Sequence, residues 1–218
     1  DGGMHAPGRL LVADDVFSGI PEDARDVLAD AIGEVSGLLG EAEHIEVAGQ
    51  DAPLRGLDSW AWAARTVWGG EAWIEHRAWI EAVQPGFGSG VAARFAARAA
   101  VSAAELADAR THWAPVAAYL EEVLADGAVL ALPAAPGVAP LAGGSDDDIE
   151  PFRSANEPIG CIAGLGGLPE IVVPIANLDG LPLGLGLAAA RGNDELLFKV
   201  AIALCDAGVV APVEIPDE

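Results

Sequence analysis

Two apolar segments joined by an Asp-Gly turn constrain the fold of this chain more than any other sequence feature. The first segment covers 168–176 and the second covers 181–190, with Asp179-Gly180 between them. Asp-Gly is typical of the tight turn that joins two antiparallel strands. Asn193 follows at a helix N-cap position. The pattern therefore predicts neighbouring antiparallel strands and then a helix over 194–207, packed on the sheet.

The rest of the chain alternates strand-like and helical segments. The patterns predict strands at 9–13, 45–48 and 128–132, helices at 21–39, 102–126 and 152–165, a helical stretch over 54–82 that Gly69-Gly70 splits in two, and loops at 84–90 and 133–151. A strand, helix and hairpin order of this kind favours a layered architecture. We therefore predict a single α/β domain over 1–218, a layered α/β/α arrangement with a mixed central sheet.

Composition narrows the classes of partner. The chain has 218 residues, of which 52% are hydrophobic, enough for one substantial core. Its 11 basic and 34 acidic residues give a formal net charge of −23, which repels phosphate backbones and anionic membranes. Nucleic-acid and membrane partners are therefore not expected. Two cysteines are too few for a disulfide framework, and no signal peptide or membrane-spanning run is recognisable, so we expect a cytoplasmic protein.

Motifs for cofactors and metals are weak. The glycine-rich run 160–167 lacks the Gly-Lys-Ser/Thr of a phosphate-binding loop, and Lys199 is the only lysine in the chain. Close helix packing explains those glycines better. The acidic run 146–148 has no EF-hand spacing and is interpreted as a solvated loop, and the four histidines form no zinc-binding pattern. We expect no cofactor and no metal.

A serine nucleophile is also not evident. None of the seven serines lies in a Gly-x-Ser-x-Gly elbow. Ser89 stands between Gly88 and Gly90, but no partner base is recognisable for it, and a serine needs such a base to react. We interpret Ser89 as a turn residue and assign no catalytic residue.

Four segments in order carry a resemblance to a known family. They are Arg9–Asp15, the stretch from His76-Arg77-Ala78-Trp79-Ile80 to Gln84-Pro85-Gly86-Phe87-Gly88, Leu132–Gly137, and the C-terminal hairpin with its helix. Together they resemble the C-terminal half of the amidase signature family, serine amide hydrolases with a Lys-Ser-Ser triad. The similarity is closest to the plant-type branch, the indole-3-acetamide hydrolases and their chloroplast-envelope relatives.

The resemblance implies both an activity and a pocket. It implies hydrolysis of the C–N bond of a small apolar or aryl amide. It places substrate-pocket walls in the loop after the third strand and in the glycine-containing helix, with one tryptophan near them: Pro133, Ala134, Gly137, Cys161, Gly164 and Trp79. Family members commonly have threonine at the position of Ala134, which bears on substrate preference.

The family carries its triad upstream, in a Gly/Ser-rich segment that this chain does not contain. Three interpretations stay open. The chain is part of an amidase whose other half completes the site, or a non-catalytic binding or scaffold module, or a hydrolase with an unrelated constellation. The first implies an N-terminal half as partner, or self-association, and no activity for this chain alone.

Overall fold

A five-stranded mixed sheet organises the molecule. The computed structural model describes residues 8–210. The strands are β1 (Arg9–Ala13), β2 (Ala42–Ile45), β3 (Ala128–Pro133), β4 (Glu170–Leu178) and β5 (Leu181–Ala189), in the spatial order β2-β1-β3-β5-β4. β1 is parallel to β2 and to β3, whereas β5 is antiparallel to β3 and to β4. The predicted mixed sheet is therefore confirmed.

The apolar sequence of the central strand, β3, follows from its burial. Every residue of β3 is buried, which is why Ala128–Pro133 is apolar without alternation. At its end the backbone continues alongside β5, where the N–H of Ala134 donates to the carbonyl of Gly184 at 3.2 Å.

The C-terminal hairpin has the predicted turn. Asp179 and Gly180 have φ values of 52° and 83°, the pair of left-handed conformations that a two-residue type I′ turn needs. The Gly180 N–H donates to Oδ1 of Asn177 at 2.8 Å and closes the turn. The pairing of β4 with β5 shifts between Val173 and Ala176, at the proline of β4.

Helices cover the sheet and pack on one another. Seven of them lie in the described residues: α1 (Asp14–Ser18), α2 (Glu22–Leu39), α3 (Leu57–Val83), α4 (Ser89–Ala99), α5 (Ala103–Val123), α6 (Asp146–Gly166) and α7 (Asp194–Asp206). α2 and α7 pack on β4 and β5, while α3, α5 and α6 pack together. One hydrophobic core joins the sheet to Trp60, Leu120 and Ile162 of the second group.

The two predicted N-cap residues differ in whether their side chains cap the helix. Ser102 caps α5 through a capping box with Glu105, as its spacing predicts. Asn193 stands at the N-cap of α7 as predicted, but its side chain makes no capping hydrogen bond.

The prediction that Gly69-Gly70 splits a helix is wrong, because α3 runs unbroken from Leu57 to Val83. Both glycines are buried, and a β-carbon on either would crowd a neighbouring helix. It would lie 3.2 Å from Cγ of Arg98 at Gly69 and 3.0 Å from Leu106 at Gly70. The glycines therefore allow close packing rather than ending the helix.

Three boundaries also differ. β2 lies at Ala42–Ile45 rather than at 45–48, because the backbone N–H groups of Val47 and Ala48 donate to the carboxylate of Asp15 instead of to a strand. α6 begins at Asp146, within the stretch predicted as a loop. α4 begins at Ser89, within the predicted loop 84–90.

Candidate substrate-binding site

The predicted wall residues lie in three separate places. The first is the end of β3, where Pro133 is buried opposite Leu185 of β5. Ala134 follows it and packs beside Gly184: a β-carbon on that glycine would lie 3.3 Å from the Ala134 methyl. The space around Gly137 is open, since a β-carbon there would meet no atom within 4 Å.

The second place is α6, which carries Cys161. The thiol is buried and donates to the carbonyl of Pro158 at 3.3 Å. Burial raises the pKa of Cys161 from 9.0 to about 12. The thiol therefore stays protonated at neutral pH, and it can line a pocket but cannot act as a thiolate nucleophile.

Gly164, one turn further along α6, determines where Trp68 lies. A β-carbon at Gly164 would be 2.5 Å from Cζ2 of Trp68, so a larger residue would displace the indole. Trp68 also makes an edge-to-face contact with Trp113, with ring centroids 5.8 Å apart. The predicted role of the 160–167 glycines in close helix packing is confirmed at this position.

A cleft of about 310 Å³ opens between α3, α4 and α6. Its lining includes the indole of Trp68, the floor residue Cys161 and several polar groups, namely Arg65, Arg98, Asn156 and Glu157. The lining includes neither Trp79 nor any residue of the 133–137 loop. Of the predicted wall residues, Cys161 is part of the lining of this cleft, and the others are not. Gly164 packs against Trp68, which does line the cleft.

The lining of this cleft contains more positive than negative side chains. Arg65 of α3 is ion-paired with Glu157 of α6. Arg98 of α4 stacks over the ring of Phe95 at 5.3 Å and, within residues 8–210, has no carboxylate partner. The cleft therefore carries one positive charge in a strongly acidic chain.

Trp79 forms the third place, on the outer part of α3. It is 48% exposed, and its ring meets Phe87 at 6.0 Å. Phe87 in turn stacks on Phe95 at 5.2 Å. Trp79 is therefore linked to Arg98 through these two phenylalanines.

Two serines and the one lysine of the chain have structural partners. Ser18 donates to the backbone carbonyl of Asp15, and Ser102 caps α5. Lys199 lies on α7, where its Nζ is 3.9 Å from the carboxylate of Glu195 in the same helix. Nucleophilic catalysis needs a base within hydrogen-bond reach of the serine, and these three side chains form no such pair.

Residues 8–210 contain no group of three His, Cys, Asp or Glu side chains placed to hold a metal ion. Within the same residues, no helix combines the length and the apolarity needed to cross a membrane.

Sequence reasoning missed Trp68 and Arg98. The available signal for Trp68 was Gly164, because a glycine inside a helix can mark the close approach of a neighbouring side chain; a β-carbon there would lie 2.5 Å from Cζ2 of Trp68. Nothing in the local sequence shows that Arg98 faces the same cleft.

Comparison with known proteins gives a consistent result. No protein-family model matches the chain. Amidase 1 of Arabidopsis thaliana is 25% identical over 224 residues, which cover 91% of this chain and 52% of that protein. Amidase 1 of Oryza sativa subsp. japonica is 32% identical over 126 residues, or 57% of this chain and 29% of that protein.

The fold matches as well. A bacterial aryl acylamidase of the amidase signature family superposes with a TM-score of 0.67, covering 94% of this chain and 44% of the acylamidase, at 14% sequence identity. The chain is thus similar to amidases in sequence and to an amidase signature enzyme in fold. The predicted resemblance and the α/β fold class are confirmed. The amidase-like chain spans about half the length of the Arabidopsis relative.

Proposed function

We propose that this chain is part of an amidase that hydrolyses the C–N bond of a small apolar or aryl amide, and that a second segment supplies the Lys-Ser-Ser triad. One observation carries the proposal. The only lysine of an amidase signature chain, Lys199, is exposed on α7 and faces Glu195 rather than a serine. A chain of this family without a lysine–serine pair needs that pair from elsewhere to form an acyl-enzyme.

The chain's proposed contribution is the wall of the substrate pocket. The cleft beside Trp68 and Cys161 supplies an aromatic and apolar surface of the kind that holds an aryl group. The 133–137 loop stays a predicted wall, at the end of a buried strand, where many α/β proteins bind ligands.

The proposed partner is the triad-bearing segment or, failing that, a second copy of this chain. β4 pairs only with β5 among the described residues, and an unpaired strand edge favours association. Apolar side chains are exposed on β4 and on the outer side of α7: Val172 at 54%, Phe198 at 61% and Ile202 at 60%. An exposed apolar surface of this kind favours a bound partner.

The test is co-expression with the proposed triad-bearing segment, cloned from the same genomic locus. The pair should co-purify and release ammonia from phenylacetamide, whereas neither polypeptide should do so alone. A chain that sediments as a monomer and has no affinity for that segment contradicts the proposal.

The pocket walls are tested in the active pair. Gly164→Leu displaces Trp68, and Ala134→Trp fills the loop after β3, so both should raise KM for phenylacetamide several-fold. Gly37→Ala on α2 is the control, because a β-carbon there meets no atom within 4 Å and the residue lies outside the cleft lining. Unchanged KM for both wall variants would contradict the placement of the walls.

We propose the cytoplasm as the compartment. Cys161 and Cys205 are both free thiols, which suits a reducing environment. Fractionation of source cells, with a blot for this chain, tests the assignment, and recovery in a secreted fraction would contradict it.

A further inference from the structure

The cleft between α3, α4 and α6 combines an aromatic wall with an unpaired cation. We propose that it binds a small aromatic carboxylate, with the ring against Trp68 and the carboxylate on Arg98. The ligand class rests on the proposed function, because hydrolysis of an arylacetamide gives such an acid: ArCH₂CONH₂ + H₂O → ArCH₂COO⁻ + NH₄⁺. Binding of the acid needs no reaction, so it is measurable on this chain alone.

Arg98 supplies the positive charge of the proposed site. Arg65 is neutralised by Glu157, whereas Arg98 has no acidic partner within residues 8–210. Contact with the face of Phe95 holds the guanidinium and leaves the N–H donors at its edge free. A guanidinium edge matches a carboxylate in a two-point hydrogen-bonded pair.

The net charge of the whole chain opposes anion binding at most other places on the surface. A formal charge of −23 repels anions from most of the surface and attracts cations. A cleft with a net positive charge is therefore a local exception, and its ligand is expected to be an anion. Asn156 adds an amide to the same lining and supplies a further hydrogen-bond donor.

Trp68 supplies the aromatic wall of the proposed site. The indole is 40% exposed, although edge contacts with Trp113 and Gly164 hold it in place. An exposed indole fixed in this way offers a flat apolar surface to a ring. The volume of about 310 Å³ lies at the small end of the range of ligand pockets and suits a single-ring acid.

The experiment is a titration of the full chain with phenylacetate and with phenylacetamide, followed by amide chemical shifts in ¹H–¹⁵N spectra at low ionic strength. The two probes have the same shape and differ in charge. Phenylacetate should bind about 10-fold more tightly, because only the acid makes charge-assisted hydrogen bonds to Arg98. Acetate, which lacks the ring, should bind at least about 10-fold more weakly than phenylacetate.

Arg98→Gln removes the charge and keeps a polar, though shorter, side chain. It should abolish the preference for phenylacetate over phenylacetamide. Arg94→Gln is the matched control, since Arg94 lies on the same helix and is exposed outside the cleft lining, and it should leave the preference unchanged.

Equal affinity of the wild-type chain for the two probes, or no binding of either up to 10 mM, overturns the proposal. So does an equal loss of preference in both arginine variants, which would indicate a general charge effect. The wild-type comparison decides the matter even where a variant fails to fold. Phenylacetate binding without amidase activity in the co-expressed pair would refute the proposed function and leave this site standing.

Discussion

The Cys161 thiol combines burial with a hydrogen bond to the Pro158 carbonyl, and its pKa is raised to about 12. Treatment of the native chain with iodoacetamide at pH 8 should therefore modify the exposed Cys205 and leave Cys161 unmodified, as read by peptide mass. In urea both cysteines should react. Equal native alkylation rates would contradict the buried placement of Cys161.

The same residue gives a pH dependence of stability. The pKa of the thiol is 9.0 in the unfolded chain and about 12 in the folded chain. The unfolded state therefore binds fewer protons between these values, and the contribution of this thiol to stability is lost as pH rises through that window. Cys161→Ser should flatten the decline of the unfolding free energy there.

Glu170 is the second residue with an unfavourable ionisation. Its Oε1 lies next to Gly186, 2.7 Å from the position that a β-carbon on that glycine would take. Part of the residue is exposed, but burial of the carboxyl raises its pKa. A raised pKa means that ionisation costs stability as pH rises through the carboxyl range. Glu170→Gln should therefore stabilise the chain at pH 7 relative to its effect at pH 4.

Urea unfolding at the two pH values measures this difference. Glu122→Gln, at an exposed position on α5, is the matched control and should show no such pH dependence. A Glu170→Gln effect that is the same at both pH values would contradict the burial of the carboxyl.

Among the secondary-structure elements, the hairpin of β4 and β5 depends on its two turn residues. Gly180 has φ 83°, a conformation that costs about 1–2 kcal/mol for a residue with a β-carbon. Gly180→Ala should lower the unfolding free energy by about 1 kcal/mol. Gly33→Ala in α2 is the control: no atom lies within 4 Å of its added β-carbon, and the change should stabilise the helix by about 0.5–1 kcal/mol. Urea unfolding gives both values, and a neutral Gly180→Ala would contradict the turn geometry.

The elements that sequence predicts well are those whose signals are local. The Asp179-Gly180 turn and the all-apolar 128–132 segment each specify a strand or a turn through their own residues. Gly69-Gly70 was misread because its meaning is tertiary: the glycines admit Arg98 and Leu106 from other helices, and that packing overrides their low helix propensity.

The candidate cleft likewise combines one residue that the sequence suggested with two that it did not. Cys161 was placed by resemblance and proved to line a cleft, whereas Trp68 and Arg98 enter the cleft from two other helices. Only the packing of α3, α4 and α6 brings these three side chains together. Local pattern could therefore not identify the cleft, and the contacts with substrate of all six predicted wall residues stay predictions.

The whole molecule is an acidic α/β chain with an open sheet edge and exposed apolar groups on β4 and α7. It has a cleft between three helices, and its one lysine lies beside Glu195 on α7. We propose a division of labour, in which this chain binds substrate and another segment carries the nucleophile.

Fluorophosphonate labelling tests that claim most directly, because the reagent marks an activated serine covalently. Intact masses should be recorded for this chain alone, for the triad-bearing segment alone, and for the co-expressed pair. We expect one label per pair, carried by the other polypeptide, and none on this chain under any condition. Stoichiometric labelling of any serine of this chain would contradict it.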